Sequence, residues 1–418
     1  MINRTVPPPT KEISTISYLA PTSKLIAKNT YLHWINEVSN EGFKLDFIFK
    51  AGTIFEEKII AKLTADLIFS GTPDKTSEQI NDEIDQYGGF VNVEVTAEDA
   101  TLSLFGLKEN FIDLLNIVVD ALEQVTFPKR ELDQLVATKR QSFLIAQQKV
   151  AIQARQHFLT SVFEGTPFSR VTYLEDFDNV DAKKIKTFYA ENYLKGLKMV
   201  CLIGDIDEQK VDYLTSKVSA WCTDEVEKPS YSFKNKATKI HVEKEDAVQT
   251  AIRIGRLLFN KKHEDYISFG VLNTVLGGYF GSRLMTKIRE EKGYTYGIGS
   301  GVAQSVHTGY FFIATEVGKA VKEEALEAIK NEIKLLQEEF ISEEELSLIR
   351  SYSIGQLLSQ SDGPFAMMDR FLSVERFGMG FEYYDKVLNT INNITVEEIR
   401  DLARKYLNWQ DMIIVTAG

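Results

Sequence analysis

Cysteine is almost missing from this chain of 418 residues, which has only Cys201 and Cys222. One candidate pair cannot staple a fold of this length, and so low a count suits a reducing compartment. Long hydrophobic runs are missing too: no stretch reaches the roughly 18 apolar residues that a spanning helix needs. The opening "MINRTVPPPTKEISTISYLA" has no apolar block of the secretory kind, so a cytoplasmic protein away from membranes is expected. Positive charge is in deficit, with 48 Lys and Arg against 60 Asp and Glu, a net charge of -12. Such a field repels phosphate backbones and argues against nucleic acid as a partner. Histidine is scarce: His33, His157, His241, His263 and His307 include no pair at i and i+4, the spacing that sets two metal ligands on one helix face. What is present is 44% hydrophobic residues and 26% charged ones, the mix of a globular protein with a full core and room for two or three domains.

The chain repeats itself. "DNVDAKKIKTFYAENYLKGLKMVCLIG" ends at Gly204 and "NNITVEEIRDLARKYLNWQDMIIVTAG" ends at Gly418. Each has a polar cap, an amphipathic helix, a short break and an apolar strand closed by glycine. Val180 matches Ile394 at an offset of 214 residues, and Met199 matches Met412 at 213. Upstream, Phe127 in "VTFPKRELDQL" and Phe340 in "EEFISEEELSL" are also 213 apart. The second copy predicts a capping box, Ser342 with Glu345. Two copies at a long period mean two similar domains rather than a solenoid.

Both copies follow one plan. "FKLDFIFKAGTIFEE" alternates apolar and polar residues as a strand does. A helix over 59–69 and a second helix follow, then a strand pair in "GGFVNVEVTAEDATLSLFGL". The next helix, 110–124, carries Leu114, Ile117, Val118 and Ala121 on one face. In the second copy the strands fall within "YTYGIGSGVAQSVHTGYFFIATEV", and Ala325, Ile329, Ile333 and Leu336 line the helix after them. "GIGSG" reads as a strand with close backbone approach, and the acidic run "KEEALEAIKNEIKLLQEEF" as a solvated face over that apolar stripe. Hairpins mixed with long helices predict an α+β fold of two homologous domains, each a largely antiparallel sheet packed with helices. The domains are expected at 1–222 and 237–418, joined by a polar linker at 223–236.

Several segments resemble the pitrilysin/insulinase family of inverted-motif zinc peptidases, which includes mitochondrial processing peptidase. "LIFSGT" at 67–72 is similar to the tail that follows the family's HxxEH helix. "AGTIFEE", "FYAENYLKGLKMVCLIGDID" and "GSRLMTKIREEKGYTYGIGS" resemble its other recognisable stretches, so the likeness covers nearly the whole chain. In the family, two histidines and a later glutamate bind zinc, and the glutamate before the second histidine acts as general base. Alignment on "FSGT" places these at Lys62, Ala65, Asp66 and, on a later helix, Ser142. None of the four can do the family's job. The resemblance therefore implies a chain with no metal or cofactor of its own.

Two readings of Lys62 and Asp66 stand. One is an i,i+4 surface ion pair, which is weak in this Lys-first order. The other has the Lys62 ammonium filling the lost metal's position. In the second half, the family's Arg and Tyr, seven residues apart, hold the substrate carbonyl and stabilise the oxyanion in a partner's site. Here they are Arg289 and Tyr296, both able to donate hydrogen bonds toward developing negative charge. The plain alternative is a helix-end salt bridge from Arg289 to Glu290 or Glu291 and a strand aromatic at Tyr296. "LGGYFGSRL" lacks the pattern of a phosphate loop. It is either a turn or, as the family's glycine-rich loop implies, a weak candidate for peptide contact through Gly277, Gly278 and Gly281.

The resemblance implies a zinc-less subunit of a heterodimeric metallopeptidase. A homologous partner chain would bring HxxEH and zinc, and the substrate would be a peptide or unfolded segment added to a sheet edge. The isolated chain is expected to be able to pair with itself. The alternatives are a non-enzymatic peptide-binding or scaffold protein, in the manner of respiratory-complex core subunits, and a self-sufficient hydrolase with relocated ligands.

Overall fold

The computed structural model of the protein describes residues 13–27, 29–37, 39, 41–222 and 229–418. The first half builds a sheet from β1 (Thr22–Ala27), β2 (Thr30–Asn36), β3 (Gly42–Phe49), β4 (Phe90–Val95), β5 (Ala100–Leu107) and β6 (Leu197–Gly204). The second uses β7 (Thr238–Val242), β8 (Gln249–Leu258), β9 (Ile298–Gln304), β10 (Gly309–Gly318) and β11 (Ile413–Ala417). The strand orders are β1-β2-β6-β3-β5-β4 and β7-β11-β8-β10-β9. Dropping β1, the orders superpose strand for strand, and the parallel strand pairs among the described residues, β2 with β6 and β7 with β11, fall at the same place in each. The duplication read from sequence is therefore a duplication of topology, and both sheets are largely antiparallel.

The helices of the first half are α1 (Lys58–Asp66), α2 (Ser77–Gln86), α3 (Phe111–Gln124), α4 (Lys129–Gln147), α5 (Val150–Val162), α6 (Ala182–Asn192) and α7 (Glu208–Val218). Those of the second are α8 (Tyr266–Asn273), α9 (Lys322–Glu338), α10 (Glu343–Ser359), α11 (Gly363–Glu375), α12 (Glu382–Asn393) and α13 (Val396–Tyr406). On one face of the first sheet, Phe43, Leu45, Phe47 and Phe49 of β3 meet Ile60 and Leu63 of α1, Leu114 and Val118 of α3 and Phe188 of α6. The equivalent face of the second sheet holds Phe311 and Ile313 of β10 with Phe269, Ile329, Ile333 and Ile399. The expected stripes on α3 and α9 are the faces buried here, with Ile117 only partly covered.

The opposite faces are covered by exchange. Val150, Ala154, Phe158 and Val162 of α5, from the first half, pack on Ala251, Ile413, Val415 and Ala417 of the second sheet. Reciprocally, Met367 and Met368 of α11 pack on Ile35, Ile48, Cys201 and Ile203 of the first sheet. The two helices start 213 residues apart, so this too obeys the repeat. Turns join the halves as well: the Val306 amide donates to Glu98 Oε2 at 3.3 Å, and Arg376 reaches Asp99 at 3.4 Å.

Some local expectations change. α1 ends at Asp66 rather than continuing to position 69, because the chain bends toward Gly71, whose φ of +140° suits glycine. The polar face of β3 is not solvated. Asp46 is buried beneath α11, held by Lys44 at 2.9 Å and by the Ser103 hydroxyl at 2.6 Å. Only half of the Ser342 box forms: the hydroxyl accepts from the Glu345 amide at 3.1 Å, while the Glu345 carboxylate takes a bidentate Arg283 at 2.8 and 2.9 Å. A charged two-point pair outweighs a single reach back to a cap. Of the linker, 223–228 lies outside the described residues. The rest is docked on the second sheet, with Phe233 against Phe163 and the Asn235 amide bonded to Asp411 O and the Leu257 amide.

Candidate functional site

α1 holds its line through Ile59, Ile60 and Leu63, which are buried against the sheet, and leaves Lys62 and Asp66 on its open side. Ala65 is buried beside them. α4 runs alongside and brings Ser142. The expected Lys62–Asp66 pair does not form. Asp66 Oδ2 is taken instead by Lys139 of α4 at 2.7 Å. A cation one helix away reaches the carboxylate squarely, whereas a Lys-first i,i+4 pair is poorly directed. The family's zinc would cross-link the helices carrying positions 62, 66 and 142, and here the Asp66–Lys139 bridge joins the same two helices. It is Lys139, not Lys62, that neutralises Asp66.

Zinc needs lone-pair donors converging in a tetrahedron. Lys62 offers an ammonium, Ala65 a methyl, and Asp66 a carboxylate already in use. The Ser142 hydroxyl donates to Thr138 O at 3.0 Å, along its own helix. Among the described residues, no group of three or more His, Cys, Asp or Glu is placed to hold a metal ion. The residues present do not fit zinc.

Positive charge gathers around the open side of α1, only part of it indicated by the linear pattern. Burial lowers the pKa of Lys58, with Lys62 and Arg155 adding to the effect. Burial lowers that of Lys62, helped by Lys139 and Arg155 and opposed by Asp66. Burial, then Arg155, lowers that of Arg253. Arg155 stands on the open side of α5, and Arg253 lies on β8 with its guanidinium 5.5 Å from the Phe312 ring. The i,i+4 lysines of "KIIAK" were a visible sign, since like charges at that spacing oppose each other by ~0.2–0.5 kcal/mol. Arg155 and Arg253 arrive from distant segments.

Beside Asp66 opens a cavity of about 430 Å³, lined by Ala65, Asp66, Ser77, Thr138 and the β4 residues Val91, Asn92 and Val93. β4 is the last strand of its sheet, so its outer backbone edge has no strand partner among the described residues.

Arg289 and Tyr296 come together in the second half. α8 runs into a π-helical turn, Thr274–Gly278, and Arg289 sits in a second, Met285–Glu291. Such turns are rare and recur at functional sites. The Arg289 guanidinium lies 4.7 Å from the Phe280 ring centre and 5.8 Å from that of Tyr296. Its contact with Glu290 is long, 3.8 Å. Tyr296 is in the loop before β9 rather than in the strand, and is 94% exposed. Of the glycines, Gly278 and Gly281 are exposed, but Gly277 is buried. A Cβ on Gly277 would stand 2.6 Å from Ser300 Oγ, so it serves close packing of the turn on β9. Sequence reasoning missed Phe280, which is 65% exposed and shares Arg289 with Tyr296.

Comparisons with known proteins agree with this fold. Residues 38–173 match the family "Insulinase (Peptidase family M16)", and residues 179–352 match "Peptidase M16 inactive domain". An uncharacterized zinc protease YmxG of Bacillus subtilis is 22% identical over 81% of this chain and 83% of its own length. A protein called non-peptidase homolog YmxG, of Helicobacter pylori, is 22% identical over 92% of this chain and 91% of its own. A crystal structure described as a peptidase M16 inactive domain from Pseudomonas fluorescens shares the fold with a TM-score of 0.86 and 21% identity, over 96% of this chain and 98% of that one. With the fold, the duplicated topology and both matches in hand, the chain belongs to the M16 insulinase family of peptidases, as a member whose sequence has no HxxEH motif.

Proposed function

We propose that this chain is the zinc-less half of a two-subunit metallopeptidase. A homologous partner bearing HxxEH and zinc carries out the cleavage. This chain contributes Arg289 and Tyr296 to that partner's site and half of a peptide-binding chamber. The supporting observation is the presentation of Tyr296. A tyrosine this exposed, propped against a guanidinium, displays a phenol and a cation side by side to whatever docks there. For folding alone such exposure gains nothing, because the ring buries little apolar surface. The substrate is an extended polypeptide that adds to the outer edge of β4, alongside the cavity.

The test is Tyr296→Phe and Arg289→Ala in the reconstituted complex. Both spare the fold, since neither side chain is in a core. Each should lower kcat by the ~10²–10³ typical of a lost oxyanion donor, with the partner's zinc content unchanged. An unchanged kcat with intact assembly would refute the half-site. A second reading, a peptide-binding or scaffold protein with no enzymatic role, is favoured by one observation: the Asp66–Lys139 bridge has rebuilt the metal's cross-link without chemistry. That reading expects the same variants to leave kcat alone.

A further inference from the structure

Away from α1, the side chain least in keeping with its surroundings is Lys261. It follows β8 and is 9% exposed, unusual burial for an ammonium. Its Nζ donates to Ser373 O at 2.8 Å and to Ser373 Oγ at 3.1 Å, near the C-terminal end of α11. It also stands 5.6 Å from the Phe377 ring centre and 5.2 Å from that of Tyr383. No carboxylate among the described residues pairs with it. Burial, then Arg370 and Arg376, brings its pKa down to about 8, so it is still charged at pH 7. An ammonium has three N–H groups, and at most two are spent on Ser373.

Lys261 lines a cavity of about 270 Å³ between the segment after β8, the β9–β10 turn and α11. Its walls are fixed from behind: Gln304 Oε1 accepts the Lys261 amide at 3.0 Å, and the Asn260 side chain donates to Ser305 O at 3.1 Å. α11 brings Asp369, Leu372, Ser373 and Arg376 to the cavity, a spacing that keeps to one helix face. The charged groups lining it are therefore two cations, Lys261 and Arg376, and one anion, Asp369. At ~1.5 Å of rise per residue, Asp369 and Arg376 are roughly 10 Å apart along α11, with Lys261 anchored between them at Ser373. Neither is fully engaged. Arg376 reaches Asp99 at 3.4 Å, but Asp99 also takes Lys198, and Asp369 has only a long contact with Lys44, 3.8 Å.

We propose that this cavity binds a small apolar amino acid as its zwitterion, with the carboxylate on Lys261 and Arg376, the ammonium on Asp369 and the side chain against Leu372 and Phe377. The volume is just under the ~300–1,000 Å³ of sites for drug-sized ligands, so the occupant is small. A plain carboxylate would meet Asp369 with nothing to offer it, and a plain amine would meet two cations. A zwitterion answers both signs. Arg376 also spans to Asp99 in the first half, so an occupant adds a link at the joint between the halves. The site uses neither Arg289, Tyr296 nor the β4 edge, so it stands or falls apart from the function proposed above.

Equilibrium dialysis of the full chain against radiolabelled leucine tests it, with isocaproate, isoamylamine and leucyl-leucine as competitors. Leucine should bind saturably. Isocaproate lacks the amine and isoamylamine the carboxylate, so each should compete at least roughly tenfold less well than unlabelled leucine. Asp369→Asn should erase the preference for leucine over isocaproate, and Arg376→Gln should weaken both. Both side chains are partly exposed, so these variants keep the fold and decide the matter even if Lys261→Met, which should abolish binding, does not fold. Isocaproate competing as well as leucine against the wild type would make the cavity a simple anion site. Leucyl-leucine outcompeting leucine would make it a site for peptide ends. Absence of saturable leucine binding would leave Lys261 as a cap on α11 alone. Each of these three results would overturn the proposal.

Discussion

Phe158 offers the sharpest check on the exchange of helices. It belongs by sequence to the first half, yet it is 1% exposed and packs on the second sheet. Its ring sits over Gly255, where a Cβ would lie 2.8 Å from Phe158 Cζ, and 6.1 Å from the Tyr310 ring centre. Phe158→Ala removes a whole ring from a site that rigid strands on one side and α5 on the other prevent from collapsing. Buried Phe→Ala changes cost ~3–5 kcal/mol. At 1.4 kcal/mol per tenfold, that is roughly 10²–10⁴ in the protection of amides that open with this core. Hydrogen exchange followed by mass spectrometry should show the loss in β8, β10 and β11, with β3 and β5 retaining protection. Met368→Ala, fully buried on the other sheet, should give the mirror result in β2, β3 and β6. If Phe158→Ala instead exposed the first sheet and spared the second, the packing described here would be wrong.

Lys62→Met should stabilise the protein at pH 7 by roughly 0.5 kcal/mol, by relieving repulsion from Lys58 and Lys139. The folded pKa of Lys62 is lowered by burial and those neighbours, so the unfolded chain holds the proton more tightly. The wild type therefore gains stability as pH rises through the folded pKa toward 10.5, and the variant's advantage should shrink there. Urea unfolding at both pH values would expose an error as a pH-independent difference. Elemental analysis should find no stoichiometric zinc in the wild-type chain. Adding Lys62→His, Ala65→Glu, Asp66→His and Ser142→Glu together should bring metal but little turnover, since Asp66→His strands Lys139 and nothing orients the new imidazoles. Robust peptidase activity of that variant would contradict the account.

The repeat was open to reading because it lies in local patterns. Caps, apolar stripes and strand-closing glycines recur at a constant offset whatever packs on them. The absence of HxxEH was equally plain, since that motif depends on residue type at fixed spacing along one helix. The partner of Asp66 was not legible: i,i+4 logic points to Lys62, while the real partner is across a helix–helix contact. The destination of α5 was hidden for the same reason. Ala154 and Phe158 mark an apolar face, but a face does not say which sheet it covers. Tyr296 carried a recognisable spacing, whereas its company with Phe280 arises only when two π-helical turns fold back together.

The exchange of α5 and α11 bears on ancestry. Either half taken alone has one sheet face bare and one helix with nowhere to lie, so the smallest unit that buries its own apolar surface is the pair. A single-copy ancestor would have met that requirement by trading the same helix with a second, identical copy. Duplication within one reading frame then made two encounters into one chain and freed the copies to diverge. On that history, asymmetry is the later acquisition: one half kept the shape of a metal helix and filled it with lysine, while the other kept an arginine and a tyrosine facing outward.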